Sequence, residues 1–135
     1  MMRRETHFAT HDKLIVVIAR ITGPRRTIKA PLIVDTGAVY TTITPKVAET
    51  VGYSERDRIR RTRVRTAIGS EQGYVLATAQ IAVFGLAVDN FPVHVFDLGH
   101  DVSGLVGLNF LSQLNYEIRS AERRILVEPI APVTA

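Results

Sequence analysis

An aspartate at the end of an apolar run, Leu32-Ile33-Val34-Asp35-Thr36-Gly37-Ala38, is the place in this chain where residue types and spacing can do chemistry. Leu32 to Val34 read as a buried strand, and Asp and Gly both favour the turn after it, so a carboxylate is presented at a sheet end. One carboxylate is half of a hydrolytic site. In paired-acid chemistry one group accepts a proton from water while the other donates, and the two must stand within hydrogen-bond reach of each other. No second Asp-Thr-Gly or Asp-Ser-Gly occurs in the 135 residues. A site of this kind therefore takes one Asp35 from each of two copies of the chain.

The elements that must position Asp35 are mostly β. Lys13 to Ile21 is rich in β-branched residues and stops at Thr22-Gly23-Pro24, and Thr27 to Val34 follows, so the pair forms a hairpin that delivers Asp35. Thr41-Thr42-Ile43 is a short strand. Pro45 to Val51 is a helical turn with Thr44 as its cap, Pro45 in its first position and Gly52 at its end. Two strands, Val64 to Ile68 and Tyr74 to Ala79, flank a glycine-bounded polar stretch, Gly69 to Gly73, which reads as the tip of a projecting hairpin. Gln80 to Phe84 and Phe91 to Phe96 continue the sheet with Asp89-Asn90 as the turn. Leu105-Val106 precedes Gly107 as Leu32-Ile33-Val34 precedes Gly37, and a short helix capped by Asn109 follows, with Phe110, Leu111 and Leu114 inward. Tyr116 to Ile118 and Arg124 to Glu128 form a last hairpin.

Length and composition suit one mainly β domain over 1–135, with 1–12 as a flexible N-terminus and 131–135 as a flexible tail. No apolar run approaches the roughly 20 residues that span a bilayer, and no apolar signal core follows Met1, which makes the cytoplasm the expected compartment. The absence of cysteine excludes disulfides and thiol catalysis. Six arginines crowd between Arg56 and Arg65, but Glu55 and Asp57 are interleaved and no aromatic residue lies there to stack bases. That pattern reads as a solvated face, and nucleic acid is not an expected partner. His94, Asp97 and Asp101 lack the spacing of a metal site, so neither metal nor cofactor is expected.

Three ordered parts together carry more than the motif alone: the Asp35 segment, the glycine-containing hairpin around Ile68-Gly69, and Leu105-Val106-Gly107-Leu108-Asn109-Phe110-Leu111. This set resembles the retropepsin-like aspartic peptidases, the family of retroviral proteases and their cellular and bacterial relatives, over roughly residues 14–127. The resemblance implies an all-β half-barrel that works as a homodimer, an aspartic endopeptidase acting on extended peptide or protein segments. It implies Asp35 as the catalytic acid, Thr36 bonding across the dimer axis, Gly37 turning beneath the carboxylate and Ala38 touching substrate. It further implies a flap with Ile68, Gly69 and Ser70 nearest the substrate, and Val102, Ser103 and Leu105 as the facing wall. The terminal segment Arg124 to Ile130 is the candidate for interchain pairing.

Two departures occur together. Val39 and Leu108 stand where retroviral relatives usually carry an acid and an arginine that pair with each other. Losing both partners replaces an ion pair by apolar contact, whereas losing one would strand a charge. The other reading that the same residues allow is a noncatalytic dimerisation or peptide-binding module of the same fold.

Overall fold

The computed structural model describes residues 3–11, 13–66, 69–99 and 102–130. Most of them are strand. β3 (Leu14–Thr22) and β4 (Thr27–Val34) pair antiparallel from Val16↔Ile33 to Thr22↔Thr27, the expected hairpin. β4 then lies parallel to β9 (Gly104–Val106), with Ile33↔Leu105 and Val34↔Val106. The two apolar strands that end before Gly37 and Gly107 are thus neighbours. β5 (Thr42–Ile43) pairs with β9 on one side and β8 (Leu86–Val95) on the other. β8 pairs with β7 (Gly69–Val83), which pairs with β6 (Arg60–Thr66).

The eight-stranded sheet starts with β2 (Ala9–His11), runs β2-β3-β4-β9-β5-β8-β7-β6 and curls until Gln80 to Ala82 of β7 meet Arg20 to Thr22 of β3. Its interior holds Ile21, Leu32, Ile43, Leu76, Ile81, Val93 and Val106, all nearly inaccessible. α2 (Leu108–Leu111) closes one side of this core. Phe110 sits edge-on to Phe91 at 5.4 Å between centroids, with Phe84 at 6.3 Å. Such tilted pairs are favoured by the ring quadrupole.

α1 (Pro45–Val51) forms as its end signals require. The Thr44 hydroxyl accepts from the Val47 N–H at 3.3 Å, Pro45 opens the helix, and Gly52 closes it in the left-handed region at φ 106°. Val47, Ala48 and Val51 face inward.

Four expectations are corrected. The turn between the long strands is Phe84-Gly85, not Asp89-Asn90: both residues have positive φ, 57° and 77°, as a two-residue hairpin turn demands. Asn90 has φ 50° inside β8 and marks a kink rather than a reversal. The polar stretch Gly69 to Gly73 is paired strand, because the register joins Thr66 to Gly69 and Thr62 to Gly73. The N-terminal segment is not a loose arm: β1 (Arg4–His7) pairs with β11 (Arg124–Pro129), and β2 (Ala9–His11) with β3.

The fourth correction concerns the terminal sheet. Its order is β1-β11-β10, with β10 covering Leu114–Arg119, so Arg124 to Pro129 has both edges taken within its own chain. Among the described residues no helix is long and apolar enough to cross a membrane.

Candidate active site

Asp35 leaves the end of β4 half-buried, and its backbone N–H donates to Val106 O at 3.0 Å. The parallel β4–β9 pairing is thereby extended one residue into the site loop. Inside that loop Ala38 N–H donates to Asp35 O at 3.2 Å, and Gly37 N–H donates to Asp35 Oδ1 at 2.9 Å. Gly37 is not in the left-handed region; its lack of a side chain matters for space. A Cβ there would stand 3.2 Å from Asp35 Oδ1 and crowd the carboxylate. Thr36 is exposed, and among the described residues its hydroxyl has no partner within the chain.

The far end of the loop is clamped to α2. Leu108 N–H donates to Ala38 O at 2.8 Å and Asn109 N–H to Val39 O at 2.9 Å. Asn109 Oδ1 accepts from both the backbone N–H and the hydroxyl of the fully buried Thr41, each at 2.8 Å, while its Nδ2 donates to Pro92 O at 3.0 Å. Thr41 Oγ1 in turn accepts from Gly107 N–H at 3.1 Å. Asn109 is therefore a three-way tie among the site loop, α2 and β8, not a helix cap. Gly107 occupies the cap position, and a Cβ on it would lie 2.5 Å from the Tyr40 carbonyl carbon. Thr41 and Asn109 were invisible as partners because 68 residues separate them.

Of the residues expected at a substrate wall, Leu105 is half-buried in β9 beside Ile33 and Thr42. Val102 and Ser103 line a hollow of about 660 Å³ with Ile28, Thr44 and Val47, and Ser103 O accepts from Thr44 N–H. Gly69 and Ser70 open β7 opposite Thr66 and Arg65. Ile68 lies outside the described residues. A larger open hollow of about 880 Å³ lies between α1 and the base of the β6–β7 hairpin. Asp35 lines neither hollow.

Val39 and Leu108 do not bury each other. They are 62% and 38% exposed, and Tyr40 is 39% exposed. Tyr40 lies flat on His94, ring centroids 4.3 Å apart and planes 14° from parallel. His94 Nε2 is buried without a hydrogen-bond partner. Burial, reinforced by the Arg60 guanidinium, holds the imidazole below its ordinary range. Asp97, the other described residue of the weighed metal set, uses Oδ1 to accept from Gly99 N–H, and Asp101 lies outside the described residues. Among the described residues no three His, Asp or Glu side chains gather to hold a metal.

The His94 shift has a pH consequence. The unfolded chain takes up a proton near the usual histidine range while the fold resists it, so stability is full above about pH 6.5 and declines below it. Moving from about pH 7 to about pH 5 is expected to lower the denaturant midpoint more in the natural chain than in His94→Phe, which keeps a ring under Tyr40. Equal declines would show that His94 protonation is not resisted.

The curled sheet, the crossover of the Asp35 loop beside β9, and the projecting hairpin define a known class. A retropepsin-like aspartic protease from Rickettsia conorii superposes with a TM-score of 0.71 at 19% identity, covering 93% of this chain and 98% of that one. The retroviral protease-like domain of Ddi1 from Leishmania major gives 0.58 at 17%, covering 87% and 94%. The EIAV protease complexed with the inhibitor HBY-793 gives 0.57 at 18%, covering 77% and 92%. No curated protein sequence matches. Residues 25–113 match the family described as "gag-polyprotein putative aspartyl protease", and the chain belongs to that retropepsin-like family.

Proposed function

We propose that the chain is an aspartic endopeptidase that cuts extended peptide segments as a homodimer, with one Asp35 from each copy. The observation that carries this reading is a single half-buried carboxylate at the end of β4, oriented by the loop that follows it. Asp35 Oδ1 is fixed by Gly37 N–H, and Oδ2 has no hydrogen-bond partner among the described residues. In the dimer the two Oδ2 atoms hold the water. One Asp35 takes a proton from the water as its oxygen attacks the peptide carbonyl, and the other donates its proton to the carbonyl oxygen; the first then passes the proton it took to the departing amine while the second takes one back from the diol. Two acids so close share one proton and titrate in two separate steps.

The surface supports a second copy. On β10 the register sets Tyr116 opposite Val127 and Ile118 opposite Ile125, so both share a face with buried core residues. Yet Tyr116 and Ile118 are 38% and 37% exposed. The core face of this sheet runs out past its own chain, at a strand whose outer edge is unpaired among the described residues. A two-fold partner pairing along β10 covers both. Apolar Val102 and Leu105 favour apolar side chains next to the cut bond, and the β6–β7 hairpin supplies backbone pairing and excludes water.

Dilution tests the assembly. If only the dimer cleaves, specific activity falls in proportion to concentration once the protein is below its dimer dissociation constant. Specific activity that stays constant while sedimentation shows a monomer would remove the two-copy site.

A further inference from the structure

We propose that the outer edge of β6 docks an acidic, extended peptide segment. Between Glu55 and Arg65 the chain carries six arginines against two acids, a surplus of four. The whole chain's net charge is also +4, so the remaining residues together sum to zero, although residues 13–34 carry five cations and no acid of their own.

Away from the strip, Arg3 meets Glu117 at 2.8 Å, Arg119 meets Glu122 at 2.6 Å and Arg124 meets Glu5 at 2.5 Å. On the strip, Arg61 reaches Glu55 only at 3.6 Å with both side chains mostly exposed. Arg60 and Arg63 have no carboxylate partner among the described residues.

The backbone adds a second element of recognition. β6 is the last strand of its sheet: its inner edge pairs with β7 over all seven residues, and among the described residues nothing pairs with the outer edge. Spare N–H and C=O groups there match another extended backbone. Arg61 and Arg63 are two positions apart and so share a face, about 7 Å apart along the strand. That spacing fits acids at every second residue of an added strand. It fits nucleic acid poorly, since no aromatic ring lies in the strip and free strand amides pair with peptide rather than bases. The hollow beside β6 is not the path, because Glu49, Glu55 and Asp97 line it together with Arg61 and Arg63.

The docking does not depend on hydrolysis, and the test separates the two. In Asp35→Asn protein, a fluorescent peptide alternating Glu and Val is titrated against its Lys and Val counterpart, each with a backbone N-methylated version. The Glu peptide is expected to bind more tightly, to weaken as salt is raised, and to weaken on N-methylation. Arg61→Glu/Arg63→Glu is expected to cut its affinity about tenfold with an unchanged melting temperature. Arg60→Glu/Arg63→Glu serves as the second variant should the first fail to fold. Equal binding of both peptides, or affinity unmoved by charge reversal, would mean that the arginines only guard an edge, and the proposal falls. It falls too if N-methylation has no effect, or if a single-stranded oligonucleotide of equal charge binds more tightly. Cleavage by the natural chain is scored separately, so failure of the peptidase reading leaves this result standing.

Discussion

Asp35→Asn is expected to abolish peptide cleavage, lowering turnover by at least about a thousandfold, because general acid and base work is lost at both halves of the pair. The fold should not notice. Within the chain the Asp35 side chain accepts one hydrogen bond, from Gly37 N–H, and an amide oxygen accepts the same bond. Neighbouring backbone bonds from Asp35 N–H to Val106 and from Ala38 N–H to Asp35 do not involve the side chain. The expected stability change is within about 0.5 kcal/mol, and the dimer should persist. Mixing adds a sharper test. If natural and variant chains assort at random in equal amounts, only the pairs with two aspartates cut, leaving about one quarter of full activity per dimer. Undiminished turnover by the purified variant would eliminate the chemistry, and half activity on mixing would mean that each chain acts alone.

The second large effect is at Gly104, in the short strand that holds the site from behind. A Cβ there would stand 2.1 Å from Thr42 O and 2.9 Å from Leu32 Cδ2. The first contact is with main chain in a neighbouring strand, so no rotamer relieves it. Gly104→Ala must push β5 away from β9 where Ile43 faces Gly104. We expect a loss of about 3 kcal/mol, at the upper range for overpacking. Because Val106 in the same strand accepts the Asp35 N–H, cleavage should fall with stability even below the unfolding transition. A denaturant midpoint unchanged from the natural chain would show that the two strands are not in the contact described.

Much of this was readable in the chain because local signals agreed with the global fold. Thr44-Pro45 and Gly52 bracket α1 as end chemistry requires, and the apolar run into Asp35 marks a strand whose register is set by its own hairpin. The errors fell where a local signal was overruled by packing. Asp89-Asn90 has turn composition, yet buried Phe84 with Gly85 makes the reversal, since Phe84 packs toward Phe110. Gly69 to Gly73 has loop composition but lies within a ladder that runs on to β8. At the site, the strand and the turn that carry Asp35 were legible. The Thr41–Asn109 tie and the Tyr40–His94 stack were not, because both join segments more than 50 residues apart and neither has a spacing signature.

The terminal sheet has one more consequence, for the order of events during synthesis. Among the described residues β1 pairs only with β11, with Arg4 opposite Val127 and His7 opposite Arg124. Within this domain β1 is made well before β11 and must wait for it. Such long-range closure is entropically slow, and until it happens β10 also lacks its neighbour. The surface proposed for pairing two copies is therefore assembled last. On the proposed peptidase reading, a chain made only as far as α2 holds the Asp35 loop with its clamp but not yet β10, so cleavage waits for the terminal sheet.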